Sequence, residues 1–171
     1  MERTDISRMR KRLMSEQVSK CADSPGEIDI ASLATFRYSS EHPDYPLDHL
    51  IDAHCGRGGT RWASARPNTT ERIELVFEPA QQISHLVYEV EEERVERTQE
   101  VRIEISTDHG LNYRQVLAQD YTFSPEGATF QHEEIDLEVR PITNLKLTIV
   151  PNKGGSGVAT LTSLRVFASR I

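Results

Sequence analysis

Four side chains able to hold a metal or move a proton, His49, Asp52, His54 and Cys55, fall within seven residues of one another. Imidazole, carboxylate and thiolate are the donors that zinc takes. The order His-x-x-Asp-x-His-Cys matches no established zinc spacing, so these histidines read first as polar surface beside a helical turn. Signatures of catalysis are missing elsewhere. Ser156 lies in Gly154-Gly-Ser-Gly-Val158, which departs from the nucleophile-elbow pattern at its last position. Gly56-Arg-Gly-Gly-Thr60 lacks the lysine and the spacing of a phosphate-binding loop, and there is no His-Glu-x-x-His. Glu133 and Glu134 are neighbours on an expected strand and so point to opposite faces, which does not suit paired acid–base work. The chain reads as noncatalytic.

The stretch that positions these groups runs from Leu47 to Ser64. Pro46 opens a helical turn carrying Leu47, Leu50 and Ile51, a position where its missing N–H would be unpaired anyway. Asp52 and a glycine-rich loop follow, and the stretch closes on Thr60, Arg61 and the only tryptophan, Trp62. A lone tryptophan directly after such a loop is expected to anchor it in the core, because it buries a large apolar area.

With 171 residues the chain suits one domain with a real core. Its net charge of −7 speaks against general nucleic-acid binding, which needs a basic surface. The charge is uneven: residues 1–20 hold six Lys/Arg against three Asp/Glu, and the remainder holds fourteen against twenty-four. No stretch approaches the length of a membrane span, and the charged N-terminus has no apolar core of a secretory signal. Two cysteines, Cys21 and Cys55, are too few for a disulfide scaffold, so free thiols in a cytoplasmic protein are the expectation.

Residues 4–20 are expected to form a helix, with Ile6, Met9 and Leu13 at helical spacing and Arg8, Lys11 and Arg12 opposite. That helix could pair with a partner chain or a second copy. Residues 1–24 are therefore read as a helical arm and linker, and residues 25–171 as the folded domain. From Ile28 the period becomes two. Strands are expected over Ile28–Tyr38, around Ile73–Phe77, over Ile83–Val90, Val101–Ile105, Tyr113–Leu117, Phe130–Leu137 and Leu145–Ile149, and around Leu164–Ala168. Glu91–Arg97 reads as a solvated charged connection, and Thr107–Asn112 as a glycine hairpin turn. Many short strands with glycine and proline turns mean an all-β, antiparallel sandwich.

Ser39-Ser-Glu-His-Pro-Asp-Tyr-Pro46, the Ile51-Asp52 step, Thr60-Arg-Trp62 and the Ser106 to Tyr113 hairpin together resemble the discoidin, or coagulation-factor C-type, domains. The resemblance covers roughly residues 30–168 and points to their galactose-binding-like relatives, the bacterial carbohydrate-binding modules. It implies a jelly-roll sandwich with binding loops at one end. It also implies a calcium site, onto which Asp52 and Thr60 match, while His54 replaces an asparagine and Ser163 a glutamate. Sugar sites combine an aromatic face with groups that bond hydroxyls. Loops 41–46, 61–68 and 151–157 supply such types: His42 and Tyr45; Arg61, Arg66 and Asn68; Asn152 and Lys153. The implied function is carbohydrate binding. The alternative is an intracellular docking module for a protein partner, as in relatives from DNA-repair scaffolds and the anaphase-promoting complex.

Overall fold

The computed structural model describes residues 20–138, 141–153 and 157–168. The expected N-terminal helix lies outside these residues apart from Lys20, and so does its docking role. The described chain is an antiparallel jelly-roll β-sandwich. After one helical turn, α1 (Ile30–Leu33), come β1 (Ala34–Tyr38), β2 (Trp62–Ala63), β3 (Glu71–Glu91), β4 (Arg97–Ser106), β5 (Arg114–Phe123), β6 (Phe130–Asp136), β7 (Pro141–Val150), β8 (Thr160–Leu161) and β9 (Ser163–Ala168).

β3 belongs to both layers. Its first half joins the order β1-β3-β7-β4-β5, and its second half lies between β6 and β9. Two expected strands are thus one strand of 21 residues. The alternation lapses at Glu78–Gln82, and the register with β7 shifts between Val76 and Gln81. Pro79 has no N–H to give a ladder there, which suits an irregularity rather than regular pairing. Inward positions of both layers meet in one core, including Ile73, Leu75, Phe77, Leu86, Tyr88, Ile103, Leu147 and Val166. Trp62 is fully buried as expected, and its indole N–H donates to the Ser40 carbonyl at 3.1 Å.

Three expectations need correction. The strand expected from Ile28 begins only at Ala34, because Asp29 caps α1 by accepting from the Ser32 N–H and hydroxyl. The charged run Glu91–Arg97 is not wholly solvated. Arg97 is only 4% exposed, and its guanidinium bonds Glu92, Gln99, Thr160 and the carbonyls of Pro151 and Val158. A buried cation is tolerated when its donors are satisfied in this way. Lastly, Cys21 and Cys55 are not free thiols but a disulfide, with Cα atoms 4.9 Å apart. The bond joins residues 34 apart in sequence, and only the folded chain brings them within bridging distance.

Candidate functional site

The loop from Asp52 to Thr60 lies over the outer face of β3. Outward positions of a strand are normally wet, yet Glu89 and Glu91 are 5% and 8% exposed. Glu89 accepts from the Gly56 N–H at 2.8 Å and from the Ser163 hydroxyl at 3.0 Å, and His132 Nδ1 lies 3.0 Å from its other oxygen. A carboxylate has no proton to give, so Nδ1–H is the donor of that last pair. Glu91 receives the Gly58 N–H on both oxygens, at 3.1 and 3.0 Å. Burial pushes the Glu91 carboxyl above its usual range, and the Gly58 N–H works against that shift. Gly56 (φ 82°) and Gly58 (φ 73°) take the left-handed conformation that turns their N–H groups onto the two acids. The Cys21–Cys55 bond and the Cys21 N–H on the Ala53 carbonyl (2.7 Å) tie the other flank.

This loop delivers Arg61 to one end of the sandwich, where other segments meet it. The His42 N–H donates to the Ala63 carbonyl (2.8 Å) and the Ala63 N–H to the Tyr45 carbonyl (3.1 Å). Ser40 Oγ accepts from the Ala65 N–H, and Ser64 and Asn68 pair with Ala159 and Gly157. The loops expected to converge therefore do so. Tyr45 is 36% exposed; the Arg61 guanidinium lies 5.0 Å from its ring and the His42 ring 5.4 Å away. Arg66 is exposed, and its guanidinium makes no hydrogen bond or ion pair with a described residue. Asn68 is engaged in holding Gly157, and the Asn152 Cβ lies near that glycine. Lys153 points elsewhere: its ammonium sits between Glu100 and Asp120, towards β4 and β5.

The sequence pattern of the F5/8 type C domain matches residues 35–164, about three quarters of the chain. The chain belongs to that family. No curated protein matches it. Among solved structures the F5/8 type C fold of this chain is similar to CpGH89CBM32-5 of Clostridium perfringens in complex with GalNAc-β-1,3-galactose. The TM-score is 0.57 at 20% identity, over 83% of this chain and 99% of that one. It is also similar to the family 32 CBM of C. perfringens NanJ in complex with galactose (TM-score 0.57, 15% identity, 83% and 98% covered). A third is chitosan-binding module 1 from a chitosanase/glucanase of Paenibacillus sp. IK-5 (TM-score 0.55, 20% identity, 81% and 98% covered). At these identities the likeness is one of fold.

The calcium site implied by the resemblance can be tested on this F5/8 type C domain's own atoms. Asp52 Oδ2 accepts from the Thr60 hydroxyl at 2.5 Å, and the same hydroxyl lies 3.4 Å from the His49 carbonyl oxygen. Asp52 Oδ1 accepts from the His54 N–H at 3.1 Å. These hydrogen bonds hold the Asp52 carboxyl below its usual range against the burial that raises it. Calcium asks for six to eight oxygens, drawn from carboxylates, carbonyls and water. The described residues contain no group of three or more His, Cys, Asp or Glu placed to hold a metal, and Ser163 brings a hydroxyl already donated to Glu89. The one carboxylate of that set, Asp52, is bonded to Thr60 and His54, which is a poor fit for that cation.

Beside Tyr45 lies a groove of about 270 Å³ lined by His49, Gly58, Gly59, Thr60, Arg61, Glu91, Glu93 and Arg94. Sequence reasoning missed His49, Glu93 and Arg94 as neighbours of Tyr45. His49 Nδ1 is 2.8 Å from the Arg61 carbonyl oxygen, a contact 12 residues long that no local pattern announces.

Proposed function

We propose that this domain is a noncatalytic carbohydrate-binding module that takes its glycan at the loop end, on Tyr45, His42, Arg61 and Arg66. The observation that carries this is Arg66: an exposed guanidinium, without a partner among the described residues, on a loop end that backbone hydrogen bonds hold together. A guanidinium offers five N–H donors to sugar hydroxyls, and a half-exposed tyrosine offers an apolar face. Relatives of the same fold solved with GalNAc-β-1,3-galactose and with galactose support the ligand class. The Cys21–Cys55 bond supports work in an oxidising compartment rather than in the cytoplasm.

The test is a glycan panel titrated with the oxidised protein, then with Arg66→Ala and Tyr45→Ala. Saturable binding to a galactose-type or related glycan, weakened about tenfold or more by Arg66→Ala, is expected, since a hydrogen bond to a charged group contributes about 1.5–3 kcal/mol. Binding that both variants leave unchanged would place the glycan elsewhere, and a folded protein that binds no glycan would end this reading.

A further inference from the structure

The segment Asp52-Ala-His-Cys-Gly-Arg-Gly-Gly-Thr60 has almost nothing apolar to bury, and three of its nine residues are glycine. Ordering such a loop costs more backbone entropy than ordering most others. Something specific must hold it. We propose that the Cys21–Cys55 bond and the Glu89 and Glu91 carboxylates hold this loop in place of a cation, which makes the ligand end independent of calcium and sensitive to reduction.

The register of the sandwich shows how the replacement is built. Ser163 on β9 stands where the resemblance implies a glutamate. Its direct partner across the β3–β9 ladder is Glu89. The carboxylate is therefore supplied from the neighbouring strand, and the Ser163 hydroxyl bonds it at 3.0 Å. From there Glu89 reaches the loop backbone rather than a metal. One oxygen takes the Gly56 N–H and the Ser163 hydroxyl, and the other meets His132 Nδ1. A cation on this carboxylate would have to share it with three donors whose hydrogens already point at it. Glu91 repeats the device two residues along, on the Gly58 N–H. The loop thus turns backbone N–H groups, with positive hydrogens, onto both carboxylates. The disulfide fixes the loop at Cys55, next to Gly56, and the Lys20–His54 bridge continues that attachment to the segment before Cys21. Because the loop runs directly into Arg61, loosening it displaces the residue that lies over Tyr45.

The experiment is hydrogen–deuterium exchange and thermal melting of the full chain in calcium, in EDTA, and in EDTA with a reductant added to the folded protein. Glu89→Gln and the double variant C21S/C55S are measured alongside. Exchange over 53–61 should be the same in calcium and EDTA. It should quicken about tenfold or more on reduction and in C21S/C55S, while β4 and β7 stay protected. Glu89→Gln should quicken exchange at Gly56 in oxidised protein. Calcium that raises the melting temperature or slows exchange over 53–61 would overturn the proposal. So would exchange over 53–61 that neither reduction nor Glu89→Gln alters. Adding reductant to folded wild-type protein keeps the test decisive if C21S/C55S does not fold.

Discussion

The outer face of the five-stranded layer and the loop end treat charge in opposite ways. Across the face, Arg37, Glu74, Lys146 and Glu104 sit in register on β1, β3, β7 and β4. Arg37 pairs with Glu74 at 3.3 Å and Lys146 with Glu104 at 3.0 Å. Glu74 also accepts from Tyr113 and Asn144, and Lys146 lies 3.7 Å from the Tyr113 ring centre. Each of these charges already has a partner, so the face offers little to a ligand. Beneath the loop that feeds this end, Glu89 and Glu91 are turned inward onto backbone N–H groups, while Arg61 and Arg66 have no carboxylate partner among the described residues. A protein with a net charge of −7 leaves its guanidinium donors open at the end where rigid loops converge.

The largest effect should come from removing a buried support of that end. Arg97→Ala leaves Glu92 and four other acceptors without their donor, and a loss of about 3–5 kcal/mol is expected by urea unfolding. C21S/C55S should lose about 3–4 kcal/mol, read as a fall of about 6–15 °C in melting temperature. A loss as large in Glu104→Gln would erase the contrast between the two regions. Arg66→Ala should change binding while stability stays within about 0.5 kcal/mol. Glu104→Gln should cost about 0.2–1 kcal/mol and lose its effect in high salt, without touching binding.

The smallest effect concerns acid. The Asn112 side chain and N–H, followed by Ser106, hold the Asp108 carboxyl down at about 2, well below the usual aspartate range. A carboxylate with a depressed folded value contributes stability above its unfolded value and loses it as pH falls. The Asp108 contribution is therefore full above about pH 4 and fades as pH drops towards 2. Melting curves of Asp108→Asn and wild type between pH 5 and 2 should converge at the acid end. A constant gap across that range would assign the turn's stability to something other than ionisation.

Much of this was legible in the residues. The alternation of Val101, Ile103 and Ile105 with Arg102 and Glu104 is a local property of a half-buried strand, and β4 follows it. Thr107–Asn112 announced its turn because Ser106 and Asp108 bond backbone groups within a few residues. Trp62 announced its burial by its size. The meeting of His42, Tyr45 and Arg61 at one end could be expected, because the stretch around Trp62 resembles a family whose loops meet there.

What the sequence alone determined is the period-two pattern, the turns, the anchor and the family. These rest on interactions between near neighbours, or on side-chain size. The tertiary structure decided what depends on distant partners: the Cys21–Cys55 bond, the buried guanidinium of Arg97, the turn of Lys153 towards Glu100, and the capture of Gly56 and Gly58 by Glu89 and Glu91. Glu89 lies 33 residues beyond Gly56 and 74 before Ser163. An acid on the outward side of a strand looks solvated in sequence, and only the loop laid over it makes it a buried support.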